Sequence, residues 1–111
     1  MAVSYRQAGK LIEYTADGAV GYHAVVEIGN LIGITRKSAV AGEKISCDAE
    51  GVFQFTKANG ALTAGTPVTI STDGSVAETA SESMGNGVVW SDAAADATTV
   101  DVKINVFVIA E

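Results

Sequence analysis

The stretch AVAGEKISCDAEGVFQF, residues 39–55, holds the chain's single cysteine inside an alternating run. Ile45 and Cys47 point one way while Lys44, Ser46 and Asp48 point the other, and after Gly51 the apolar face resumes at Phe53 and Phe55. A period of two sends successive side chains to opposite faces, which marks a half-buried strand. Cys47 shares the inward register with Ile45, so it reads as a small core residue. A nucleophilic cysteine needs a base and an accessible, electropositive setting. The chain offers one histidine, His23, between Tyr22 and Ala24. Core filling is the stronger reading of Cys47.

The same alternation recurs outward from that stretch. TPVTISTDGSVAET, residues 66–79, reads as a hairpin. Val68 and Ile70 alternate with Thr69 and Ser71, and Asp73-Gly74 is a tight-turn signal. Pro67 sits at a strand start, where a missing ladder donor is tolerated. GYHAVVEI (21–28), LIGIT (31–35) and GNGVVW (85–90) are further short strands. VDVKINVFVIA (100–110) reads as one long strand whose end, Val106 to Ile109, is apolar on both faces and so lies centrally or in an interface. Gly21, Gly42 and Gly65 each precede a strand, with apolar residues three and five positions on: Ala24 and Val26, Ile45 and Cys47, Val68 and Ile70. This is a recurring turn-to-strand device. KANGALTAG (57–65) has room for one helical turn at most, given its two glycines. The expectation is an all-β fold, a small antiparallel β-barrel or sandwich of seven to eight short strands. One β domain spans 13–111, and residues 1–12 form an extended N-terminal arm with few apolar anchors.

Composition narrows the function. Hydrophobic residues make up 48% of the 111 and charged residues only 18%, which leaves much neutral surface and suits a protein that works against partners. The net charge of −6 resides in residues 58–111, where Lys103 faces seven acids. An acidic half opposes nucleic-acid binding, which needs clustered Lys and Arg. No apolar run approaches the roughly 18 residues of a membrane span, and the N-terminus lacks a signal peptide's apolar block. A single cysteine forms no internal disulfide, so synthesis in a cytoplasm is the default. Zinc needs about four N or S ligands, more than one Cys and one His supply. Asp92, Asp96 and Asp101 lack calcium-loop spacing, and Gly85 and Gly87 are followed by no third glycine or helix. The expectation is therefore no catalytic set, no metal and no cofactor. Trp90 reads equally as an interface anchor or a core-edge residue.

The run GNLIGITRKSAVAGEKISCDAEGVFQFTKANG (29–60) resembles the DUF2190 family of phage and prophage capsid cement, or decoration, proteins. The matching motifs are Gly33-Ile34, Ala41-Gly42-Glu43, Gly51-Val52-Phe53 and Lys57. YRQAGKLIEYTA (5–16) is similar to the family's opening and LTAGTPVTISTDGSV (62–76) to its next hairpin, whereas SESMGNGVVW (81–90) departs from its pattern. The resemblance covers residues 4–109. It implies a β-barrel-like or β-tulip domain on the outside of an assembled icosahedral shell, in the role of the trimeric lambda-type decoration proteins, with dimers among some relatives. The expected function is thus a capsid cement protein, made in the bacterial host cytoplasm and resident in the virion, that bridges major capsid protein subunits. Its partners would be the major capsid protein and itself, as a homotrimer or alternatively a dimer, with no nucleic acid and no membrane. The alternative is a carbohydrate- or receptor-binding β module of a phage tail or fibre.

Two candidate surfaces follow. Val3, Ser4, Tyr5, Arg6, Gln7 and Lys10 form a locally cationic arm in an acidic protein, with a short strand pattern that suits addition to a capsid sheet edge. Trp90, Phe107 and Ile109 are the candidate oligomer interface.

Overall fold

The computed structural model describes residues 7–58 and 60–111. The all-β expectation holds. The strands are β1 (Leu11–Thr15), β2 (Val25–Ile28), β3 (Leu31–Thr35), β4 (Lys44–Asp48), β5 (Val52–Lys57), β6 (Pro67–Ile70), β7 (Ser75–Glu78), β8 (Gly87–Val89) and β9 (Thr99–Ile104). Among the described residues they number nine rather than seven or eight, because pieces of three and four residues each complete a ladder. Leu11 and Ile12, placed in the arm by the sequence pattern, pair with Asp48 and Cys47 in β1. Ile12 packs on the apolar face of its sheet, which holds it there.

The strands form two lobes. The first is a curled four-stranded sheet in the order β1-β4-β3-β2, and the second is a closed barrel, β5-β7-β6-β8-β9. One barrel pair, β5 with β7, is parallel, where an antiparallel barrel was expected. Val25, Ile32 and Ile34 of the first lobe join Phe55, Leu62, Val68, Val76 and Val102 of the second in one buried cluster. The opposite face of the first sheet closes over Ala16, Val26, Ala39, Ile45 and Cys47.

The lobes repeat one plan. Val20 and Ala39 exchange backbone hydrogen bonds of 2.9 and 3.0 Å, and Leu62 and Ala93 do the same at 3.0 and 2.8 Å. Four residues before Ala39 stands Thr35, whose N–H donates to Ala24 O at 2.9 Å and whose carbonyl accepts from His23 N–H at 3.0 Å. Four residues before Ala93 stands Val89, bonded to Thr66 O and Gly65 N–H at 3.0 and 2.8 Å. So β1, β2, β3 and β4 correspond to β5, β6, β8 and β9. Strand β7 has no counterpart among the described residues of the first lobe.

This repeat corrects the glycine pattern. Three residues beyond Val20, Ala39 and Leu62 the backbone turns left-handed, at His23 (φ 56°), Gly42 (φ 88°) and Gly65 (φ 93°). The first copy's turn residue is therefore His23, not Gly21, and its inward pair is Val26 and Ile28 rather than Ala24 and Val26. Thr35, fully buried, holds the turn: its hydroxyl donates to Gly21 O and accepts from Ala24 N–H, both at 2.7 Å. The histidine carries a strain that glycine avoids, so His23→Gly is expected to stabilise the protein by about 0.5–1 kcal/mol in thermal or denaturant unfolding. An unchanged or lowered midpoint would show that the ring's stacking on Tyr22, at 3.8 Å, outweighs the backbone strain.

The 66–79 hairpin forms as read. Ile70 pairs with Val76, and Ser71 N–H donates to Ser75 O at 2.9 Å. Asp73 accepts from the Ser75 hydroxyl at 2.6 Å and from its N–H at 3.0 Å, and these bonds hold the carboxyl below its usual range. A lowered folded value means the ionised form supports the turn above the ordinary carboxylate range, and that support is lost as pH falls through the lowered value. The stability gap between wild type and Asp73→Ala should be open at pH 7 and close in acid, read by melting at each pH.

The last strand is shorter than the sequence pattern predicts. It stops at Ile104 because Asn105 turns left-handed (φ 58°), a conformation asparagine tolerates better than most residues. Residues 106–110 then run over the barrel as a surface segment, pinned where Ile109 bridges Met84.

Candidate interaction surfaces

Cys47 is fully buried, and burial, then the neighbouring Asp48 charge, push its thiol above the ordinary range. A thiol so placed stays protonated and packs, as its register implied. Lys57, one of the motif residues, is buried as well. Its ammonium donates to Ala58 O, Gly60 O and Ala95 O at 2.9, 2.6 and 3.3 Å, tying the loop after β5 to the turn before β9. Two asparagines do similar work with their amides. Asn86 accepts from Ile70 N–H at 2.7 Å and donates to Ile70 O at 3.3 Å, acting as a strand neighbour where the ladder has ended. Asn105 treats Ile32 in the same way, at 2.9 and 2.8 Å, and also donates to Ala49 O at 2.9 Å. That side chain joins the two lobes.

Five exposed apolar residues, Leu31, Met84, Phe107, Val108 and Ile109, line grooves along the segment that Asn105 launches, while Leu11, Tyr22, Val40 and Val52 are exposed outside those grooves. Phe107, Leu31 and Met84 line an open groove of about 550 Å³, together with Thr69 and Asn86. On the other side, Val108 and Ile109 line a second groove of about 440 Å³ with Gly65 and Pro67. Met84 is 58% exposed and Ile109 59%. The sequence named Phe107 and Ile109, and the fold brings both to this surface. It missed Leu31 and Met84, while Val108 was read only as part of the doubly apolar run Val106 to Ile109. The available signal for Met84 was an isolated apolar residue in the otherwise polar run SESMGNG.

Trp90 lies elsewhere, just past β8, exposed, with the Lys103 ammonium 6.0 Å from its ring centre. Its exposure disposes of the core-edge reading. Of the arm, Gln7 and Lys10 are exposed, while Val3, Ser4, Tyr5 and Arg6 lie outside the described residues. Acids face solvent around the first sheet's two end strands, at Glu13, Asp17 and Glu27.

No curated protein matches the chain. Residues 6–104 match the family described as phage cement protein, so this two-lobed β protein belongs to the phage cement protein family.

Proposed function

We propose that the chain is a non-enzymatic cement protein of a phage head. It is made in the host cytoplasm, seats on the outer surface of the assembled shell and bridges neighbouring major capsid protein subunits as a closed oligomer, a trimer in the first instance. The family match over residues 6–104 carries this reading. The surface of Leu31, Met84, Phe107, Val108 and Ile109 supports it, because apolar area left in water costs about 25 cal/mol per Å² and a partner removes that cost. In the sequence, Phe107 and Ile109, with Trp90, read as contacts between copies. Grooves on both sides of the segment suit entry of side chains from a differently shaped partner, so we assign this face to the shell. Closed symmetry presents several such faces at once, and avidity raises occupancy far above that of one copy.

The test is co-sedimentation with undecorated heads. A Met84→Asp, Ile109→Asp double variant should keep the wild-type circular dichroism and lose occupancy on the order of tenfold or more, as expected for a hot-spot contact. Full occupancy by the folded variant would sink the assignment of this face. Binding to a glycan panel without binding to heads would sink the cement reading itself.

A further inference from the structure

We infer that the first lobe is an unfinished barrel, and that its open seam between β1 and β2 receives residues 2–6 of a second copy of this chain. This rests on the oligomer in the reading above but needs no capsid.

The second lobe shows what the seam lacks. There β7 lies between β5 and β6, parallel to the first and antiparallel to the second, and closes the barrel. In the first lobe the corresponding strands β1 and β2 are the two end strands, each paired on one side only among the described residues. Burial records the difference. Phe55 and Ile70 are 5% and 4% exposed beneath β7, whose Val76 turns inward at 3%. Their counterparts Tyr14 and Ile28 are only half-buried. One strand with an apolar residue facing in would cover both.

Unpaired edges are a template for strand addition, in which the backbone supplies affinity and alternate side chains supply specificity. The seam specifies its occupant. Apolar side chains face Tyr14 and Ile28, and cationic ones face the rim of Glu13, Asp17 and Glu27. The stretch AVSYR, residues 2–6, has this pattern: Val3 and Tyr5 on one side, Ser4 and Arg6 on the other.

The chain's own arm cannot take the place of β7. A strand parallel to β1 must be joined to it by a crossover of about a dozen residues or more, and only Gln7 to Lys10 intervene. Folding back antiparallel to β1 would draw Gln7 and Ala8 into the ladder, yet both are exposed and outside any strand. The arm therefore reaches the seam of a neighbouring copy. Repeated around a closed ring, this exchange leaves no seam open.

Cysteine cross-linking tests the inference without heads. Ser4→Cys and Arg6→Cys sample the arm's polar side, each combined with Glu27→Cys on the outward side of β2. Cys47 is buried and stays in place, with the wild type as control. Mild oxidation should yield a ladder of covalent dimers and larger species on a non-reducing denaturing gel, on which the wild type, holding only the buried Cys47, runs as a single chain. Deleting residues 2–9 should abolish the native oligomer in light scattering and leave the circular dichroism unchanged. A disulfide confined to single chains would mean that the arm folds back on its own lobe. No disulfide in either variant, or an intact oligomer after the deletion, would place the contact elsewhere. All three outcomes overturn the inference. A cross-linked oligomer that fails to decorate heads would instead leave it standing and count against the cement reading.

Discussion

Gly87→Ala is expected to destabilise the protein by about 1–3 kcal/mol and to lower the melting temperature by on the order of 5–10 °C, through one methyl group. The added Cβ would lie 2.7 Å from Val102 Cγ1, 2.9 Å from Ile70 Cδ1 and 3.2 Å from the Lys103 carbonyl. None of these can retreat easily. Val102 and Ile70 are branched residues in the closed barrel, and Lys103 O belongs to the strand paired with β8. Because the barrel is closed, a strain at β8 cannot be relieved by opening an edge. The corresponding glycine of the first lobe, Gly33, makes the control. Its Cβ would meet Cys47 Cβ at 2.9 Å, but Ile28 and Val26 only at 3.3 and 3.4 Å. That sheet ends at β2 and can give, so Gly33→Ala should cost less than Gly87→Ala. A second substitution identifies the cause. Val102→Ala removes the closest methyl, so Gly87→Ala combined with Val102→Ala should cost clearly less than the sum of the two single changes. Simple additivity in urea unfolding would mean that the Lys103 carbonyl, not side-chain crowding, limits the site.

The same pair of glycines shows what could be read from the sequence and what could not. Period-two alternation found the strand around Cys47 and the 66–79 hairpin, because one buried face fixes register wherever it occurs. Both glycines sit in stretches identified as strands, but nothing local says that a neighbouring strand's side chain fills the space above them. The repeat was visible only at its glycines. Its first copy carries His23 at the turn, so the pattern slid two residues to Gly21. The relation between lobes became plain only through backbone pairs such as Val20 with Ala39 and Leu62 with Ala93, which leave no side-chain signature. The run after Ile104 was misread for a related reason. Val106, Phe107, Val108 and Ile109 have the composition of a strand, and composition outvoted a single asparagine. The apolar surface was half legible: Phe107 and Ile109 stood out, whereas Leu31, at the start of β3, and Met84 reach it from sequence-distant segments.

That asparagine carries the other large effect. Asn105→Ala is expected to cost about 2–4 kcal/mol, from two sources. The amide satisfies Ile32 N–H, Ile32 O and Ala49 O, all in partly buried ground where the β3 and β4 ladders have run out. Removing it leaves those groups to whatever water can reach them. Alanine must also adopt a φ near 58°, which its Cβ disfavours. Two further variants separate the sources. Asn105→Gly loses the amide but accepts the backbone, so it should fall between wild type and alanine. Asn105→Asp keeps an acceptor for Ile32 N–H but turns an oxygen toward two carbonyls. At neutral pH it should be no better than alanine. Repulsion raises the folded-state carboxyl above its unfolded value, so its stability should recover as pH is lowered and the protonated acid donates to a carbonyl. The measurement is urea unfolding of the four proteins at pH 7 and in mild acid, with amide exchange at Ile32 as the local readout. Equal losses for glycine and alanine would assign the whole effect to the amide. An aspartate variant insensitive to pH would show that Ala49 and Ile32 are already solvated, and that the joint between the lobes does not depend on this side chain.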